Sequence, residues 1–216
     1  MMKNLFYQLY KSELRGVIET GQRKSFITFN ADQYFDESRK PIEILQQFSE
    51  HYLSEDKQIS CENANHTFIL IPIEGELKIQ SANESFSLSP QHVFLSDSQQ
   101  IQITNEYLTK LSRFYVIQLK ELHIETKIVS FDTEQKNQLL SILETDSFDF
   151  KLGVYSGRED EKYHSRFENN FITVVNGAFE FENRLMETND SLFVKGQQCL
   201  EFEALSEYAI LFILSF

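Results

Sequence analysis

The sequence predicts an all-β fold built as two β units in tandem, and three observations carry that reading. Short apolar or alternating runs rich in Phe, Tyr, Ile and Val recur at intervals of about 8–12 residues, separated by polar turns. A strand–Gly–strand layout occurs twice, in IPIEGELKI (71–79) and VVNGAFEFE (174–182), with Gly75 and Gly177 at the turns. The acidity is lopsided: residues 1–120 carry 12 basic and 15 acidic side chains, residues 121–216 carry 8 and 18.

In chain order the candidate strands are SFITF (25–29), IEILQQF (42–48), TFILIPI (67–73), ELKIQ (76–80), SFSL (85–88), HVFL (92–95), QIQIT (100–104) and RFYVIQL (113–119). After a break come KLGVYS (151–156), NFITVV (170–175), AFEFEN (178–183), RLMET (184–188), SLFVK (191–195), LEFEAL (200–205) and YAILFIL (208–214). QIQIT and LEFEAL alternate strictly, as half-buried strands do. TFILIPI and AILFIL are apolar on both faces and are expected between two layers, with Pro72 marking a sheet edge or a bulge. One segment breaks the pattern. FDTEQKNQLLSILE (131–144) predicts a short helix, with Asp132 as N-cap, Gln135 three positions on, and Leu139, Leu140, Ile142 and Leu143 following.

Composition excludes several classes. The 216 residues are 41% hydrophobic and 25% charged, enough for a buried core without disulfides or a structural metal. The longest apolar runs fall far short of the roughly 20 residues that span a bilayer, and MMKNLFYQLYKSELRG has no secretory character, so no membrane association is expected. Cys61 and Cys199 form neither a CxxC pair nor a framework and are expected as reduced thiols in a cytoplasmic protein. A net charge of −13 with no basic patch argues against nucleic acid as a partner. There is no GxSxG elbow, no phosphate-binding Gly-rich loop and no HExxH helix.

Several segments together resemble the pirin family of bicupins. RGVIETGQRKSFITFNADQYFDES (15–38) is similar to the family's opening, and IEGELK (73–78) with SLSPQHVFL (87–95) to its first-barrel hairpin and Pro-containing turn. SRFYVIQL (112–119) looks like the strand closing that barrel, while VVNGAFEFENRLMETNDSLFV (174–194) and LEFEALSEYAILFIL (200–214) resemble the second barrel. The resemblance implies two tandem cupin (double-stranded β-helix, jelly-roll) barrels: residues 1–120, a linker with the short helix over 121–148, and residues 149–216. It also implies one divalent metal, such as iron, held in the first barrel by a His-x-His pair before the hairpin Gly and a His-x-Glu pair after the Pro turn. Some relatives open flavonols with molecular oxygen; others act through protein contacts.

Such a centre needs imidazole nitrogens and a carboxylate. Counting from Gly75 and Pro90, the family's ligand positions fall on Cys61, Asn63, Thr104 and Glu106, so only Glu106 keeps a fitting group. Cys61 reads as a small buried hydrophobe, Asn63 as a turn residue and Glu106 as an exposed carboxylate. His66 is one residue off the parity of Cys61 and Asn63 and faces away from the interior unless a bulge turns it back. His92 reads as a surface residue; His51 and His123 have no partner pattern. In the second barrel Tyr163 and Ser165 stand at the inward positions, and SGREDEK (156–162) reads as a solvated loop. The expectation is a pirin-like bicupin that has lost its metal and needs no cofactor. It would act without catalysis, through a small apolar or aromatic ligand near Cys61, Asn63, His66, Thr104 and Glu106, or through a protein partner on its acidic surface. The alternative is a metal-dependent quercetin 2,3-dioxygenase-type enzyme with a rearranged ligand set such as His66 and Glu106.

Overall fold

The computed structural model describes residues 5–31, 34–62, 66–82, 84–107, 110–120 and 124–216. Its strands, in chain order, begin with β1 (Phe6–Tyr10), β2 (Gly16–Glu19), β3 (Arg23–Ile27), β4 (Leu45–Leu53), β5 (Gln58–Glu62), β6 (His66–Glu74) and β7 (Leu77–Ser81). They continue with β8 (Glu84–Leu88), β9 (His92–Ser96), β10 (Gln100–Asn105), β11 (Ser112–Lys120), β12 (Lys127–Ser130), β13 (Gln138–Glu144) and β14 (Asp149–Tyr155). The last seven are β15 (Asp160–His164), β16 (Asn169–Asn176), β17 (Ala178–Phe181), β18 (Arg184–Glu187), β19 (Ser191–Lys195), β20 (Cys199–Ala204) and β21 (Ala209–Ser215). Every pairing among the described residues is antiparallel.

Two compact units result, Arg15–Ser130 and Met1–Leu14 with Phe131–Phe216. The first packs the sheet β12-β9-β6-β11-β4-β3-β2 on the sheet β5-β10-β7-β8; the second packs β1-β19-β16-β21-β14-β13 on β15-β20-β17-β18. Within each unit the two sheets enclose one apolar core. Leu53, Phe68, Leu70, Ile79, Phe94, Ile101, Ile103, Phe114 and Val116 fill the first. Tyr155, Ile172, Phe179, Phe181, Leu192, Phe202, Leu211 and Ile213 fill the second. Two packed antiparallel sheets of this order are the jelly-roll barrels of a bicupin.

The internal echo extends to single residues. Strands β4–β11 and β14–β21 occupy the same places in their sheets, strand for strand. Both hairpin glycines take the left-handed conformation, φ +83° at Gly75 and +82° at Gly177, and a Cβ at Gly75 would lie 2.6 Å from Ser112 Oγ. The strand before each glycine carries a register shift, between Arg113 and Phe114 opposite β6 and between Val174 and Asn176 opposite β21. Pro72, opposite Phe114, therefore sits beside a bulge at Ile73 in a central strand. Aligned on these features, His51 corresponds to Gly153, Ser49 to Lys151, and Gln47 to Asp149.

The expected helix over 131–144 is not formed. Asp132 instead closes a turn by accepting the Glu134 N–H at 2.9 Å, and Gln138–Glu144 becomes a strand on β14. A register shift between Ser141 and Leu143 buries both Ile142 and Leu143, so a bulged strand mimics the apolar spacing of a helix. The N-terminal strand β1 likewise pairs with β19 in the second unit, where the sequence reading had grouped residues 1–120 in the first barrel.

Candidate functional site

On the concave face of the first barrel's larger sheet the side chains change from apolar to polar along the strands. Strand β4 presents Gln47, Ser49 and His51 on one face, because alternate residues of a strand point the same way. Ser25 of β3 pairs with His51 and Phe114 of β11 lies on its other side, so the imidazole is held between strands from distant parts of the chain. Gln118 follows Phe114 and Val116 on the inward face of β11, and His66 precedes Phe68 and Leu70 on β6. Gln47, His51, His66 and Gln118, together with Arg23, Asn30, Gln46, Ile59, Ser60, Cys61 and Glu62, line a cavity of about 450 Å³ at the barrel mouth.

His51 anchors this patch. Its Nδ1 is 2.8 Å from Ser25 Oγ and its Nε2 2.8 Å from Ser49 Oγ, while the ring stacks on Phe114 with centroids 5.3 Å apart. Ser49 Oγ also accepts from Gln47 Nε2 at 3.0 Å. Burial first, and the Arg23 charge second, push the imidazole pKa down to about 3. At neutral pH the ring is therefore uncharged, donating through one nitrogen and accepting through the other. Binding a cation on either nitrogen would break a buried serine hydrogen bond.

The structure regroups the residues singled out by sequence. Cys61 and His66 do line the cavity, and His66 Nδ1 lies 3.4 Å from Gln118 Oε1. The parity argument against His66 fails because Cys61 belongs to β5 and His66 to β6, so no single strand phase links them. Thr104 and Glu106 lie elsewhere: on β10 the inward positions are Ile101 and Ile103, and Glu106 instead faces Lys78 Nζ at 3.6 Å. Asn63 and His123 lie outside the described residues. His92 contacts Ser89 and Pro90 at the Pro turn. Tyr163 and Ser165 are both buried in the second unit. His51, which has no motif around it, is the residue that sequence reasoning missed; the alternation Gln47–Ser49–His51 was its one visible signal.

The lining is also more polar than an apolar, aromatic pocket. Phe86 and Phe94, 5.2 Å apart, pack with the core, and among the described residues no Phe or Tyr borders the cavity. Strands β5 and β10 pair with Ile59, Cys61, Ile101 and Ile103 inward, one thiol among aliphatic groups. Among the described residues no three His, Cys, Asp or Glu side chains are grouped to hold an ion.

No protein-family model matches the sequence, and no curated protein matches it significantly. Solved structures do match in fold. The bacterial pirin YhhW of Escherichia coli in complex with nickel(II) superposes with a TM-score of 0.83 at 16% identity, over 98% of this chain and 99% of that one. YhaK of Escherichia coli gives 0.70 at 12%, over 94% and 93%. Quercetin 2,3-dioxygenase of Acinetobacter baumannii gives 0.73 at 10%, over 96% and 85%. The chain thus has the pirin-like bicupin fold.

Proposed function

We propose that this pirin-fold bicupin works by binding a small polar molecule at the mouth of its first barrel, without metal-dependent oxygen chemistry. The observation that carries the reading is His51, buried and neutral between two serine hydroxyls in the wall of the cavity. A volume of about 450 Å³ is in the range of small-molecule sites, and convergent side-chain donors and acceptors give orientation. The polar lining favours a ligand with hydrogen-bonding groups over the apolar one expected from sequence. A resident ion would have to recruit Cys61 and His66 and rebuild the rest of its shell, since Glu106 pairs with Lys78 and does not line the cavity.

The similarity to a quercetin dioxygenase motivates the competing reading, an oxygenase with a rearranged ligand set. Elemental analysis of protein purified without chelator, joined to oxygen uptake with a flavonol, separates the two. The binding reading expects substoichiometric iron, copper, nickel and manganese and no uptake. A stoichiometric transition metal with flavonol-dependent uptake overturns it.

A further inference from the structure

We propose that the ligand of the first-barrel mouth is a small organic carboxylate and that Arg23 is the group that grips it; this rests on the binding reading above. Arg23 opens β3 on the same face as Ser25, lines the cavity, and lies close enough to His51 for its charge to oppose the imidazolium. Among the described residues no carboxylate forms an ion pair with it, in a chain carrying 33 Asp and Glu against 20 Lys and Arg. The neighbouring lysine, Lys24, points to the other face and pairs with Glu19 at 3.2 Å.

The second barrel supplies an internal control. Its corresponding mouth also carries cations, but each has an internal partner. Arg166 forks onto Asp149, the counterpart of Gln47, with Nε 2.9 Å from Oδ2, and Lys151, the counterpart of Ser49, reaches Glu144 at 2.8 Å. In the first barrel those positions hold a neutral amide and a hydroxyl, and Arg23 lines the cavity with no carboxylate paired to it among the described residues. A guanidinium fork matches a planar carboxylate with two parallel hydrogen bonds. One cation balances one negative charge, which favours a carboxylate over a dianionic phosphate. Gln46, Gln47 and Gln118 each have one amide atom engaged within the protein and offer the other to neutral polar groups of the same molecule, while Glu62 in the lining disfavours a second anionic group.

The test titrates the full chain with benzoate, its neutral isostere benzamide, and inorganic phosphate, following the imidazole NMR signals of His51 and His66. Benzoate is expected to saturate by tens of millimolar and to bind at least about tenfold tighter than benzamide or phosphate, a difference of about 1.4 kcal/mol. Arg23→Gln is expected to abolish that preference, Arg23→Lys to weaken benzoate several-fold by losing the fork, and Lys24→Gln to leave it unchanged. Because Arg23→Lys keeps the charge, it reports even if Arg23→Gln folds poorly. No saturable benzoate binding, equal binding of benzamide, tighter binding of phosphate, or indifference to both Arg23 variants each overturns the assignment. Benzamide saturating with no carboxylate preference would still leave the binding reading standing, whereas a stoichiometric metal with flavonol turnover would remove that reading whatever benzoate did.

Discussion

Glu50 offers the sharpest test of the energetics of the first barrel. It lies on β4 one residue before His51, hence on the opposite face, with a side chain 0% exposed. Its Oε1 accepts from Arg113 Nε at 2.6 Å and from the Tyr52 hydroxyl at 3.1 Å. Its Oε2 stands 3.0 Å from Arg15 Nη1 but out of line for a hydrogen bond, so that contact is electrostatic. Arg15 and Arg113 side chains are themselves only 6% and 18% exposed. Burial, and then the Glu50 charge, hold the Tyr52 and Tyr115 phenols above their ordinary range.

Glu50→Gln removes the charge shared by two guanidinium groups and keeps the shape. Each charge contact near 4 Å is worth about 4 kcal/mol at an effective dielectric of about 20, and part of that is already offset by desolvation. Breaking a buried pair by deleting one partner costs about 3–5 kcal/mol, a large share of a domain's total stability. Urea unfolding should show that loss as a lower midpoint at unchanged slope, and melting should fall by roughly 10–20 °C. The exposed pair Lys24–Glu19 is the control: at 43% and 63% side-chain exposure, Glu19→Gln should cost at most about 1 kcal/mol. A loss below about 1 kcal/mol for Glu50→Gln would refute the view that this buried carboxylate is shared by the two arginines.

Three further outcomes follow from the structure. His51 has a folded pKa of about 3 against 6.5 unfolded, so the unfolded chain binds the extra proton between those values and stability rises with pH across that window. The slope from this group approaches 1.4 kcal/mol per pH unit, about what His51→Gln should remove when unfolding is compared at pH 4.5 and 6; an unaltered slope would contradict a buried neutral ring. Gly75→Ala and Gly177→Ala should each cost about 1–3 kcal/mol, since both need positive φ and both would strike a serine, whereas Gly21→Ala, with open space around it, should be nearly neutral by thermal melting. Asp190→Ala should speed amide exchange over residues 6–12, because Asp190 accepts from Lys11 Nζ at 2.5 Å, the Ser12 amide at 2.8 Å and the Glu187 amide at 3.0 Å; unchanged exchange would mean that β1 pairing alone holds the segment.

Much of the fold was readable because it depends on local chemistry. Only glycine fits the positive φ at 75 and 177 next to a serine, and the alternation of QIQIT places Ile101 and Ile103 in the core directly. The reading of 131–144 failed because a bulge imitates helical spacing, and only pairing with β14 decides between them. The site was less legible for a different reason. Counting from Gly75 and Pro90 assumes a constant strand phase, and the phase is reset between β5 and β6; the same counting put Thr104, not Ile103, at an inward position. His51 acquires its role from Ser25, 26 residues earlier, and Phe114, far later, which no local pattern announces.

The duplicated architecture explains why this polar patch belongs to one barrel only. The counterpart of His51 is Gly153, and the space a side chain would take there is already filled by the Tyr155 ring, whose hydroxyl would lie 2.9 Å from an added Cβ. Tyr155 in turn packs on Phe179 and Phe202, with centroids 5.8 and 5.4 Å away, and its hydroxyl bonds to Glu161. The second barrel has thus closed its wall with an aromatic ring and its mouth with internal ion pairs. The first keeps a small polar gap beside an arginine whose charge is met by no carboxylate among the described residues. Two copies of one topology have been filled by opposite rules, and the copy that leaves hydrogen-bonding groups facing a cavity is the one equipped to hold something other than itself.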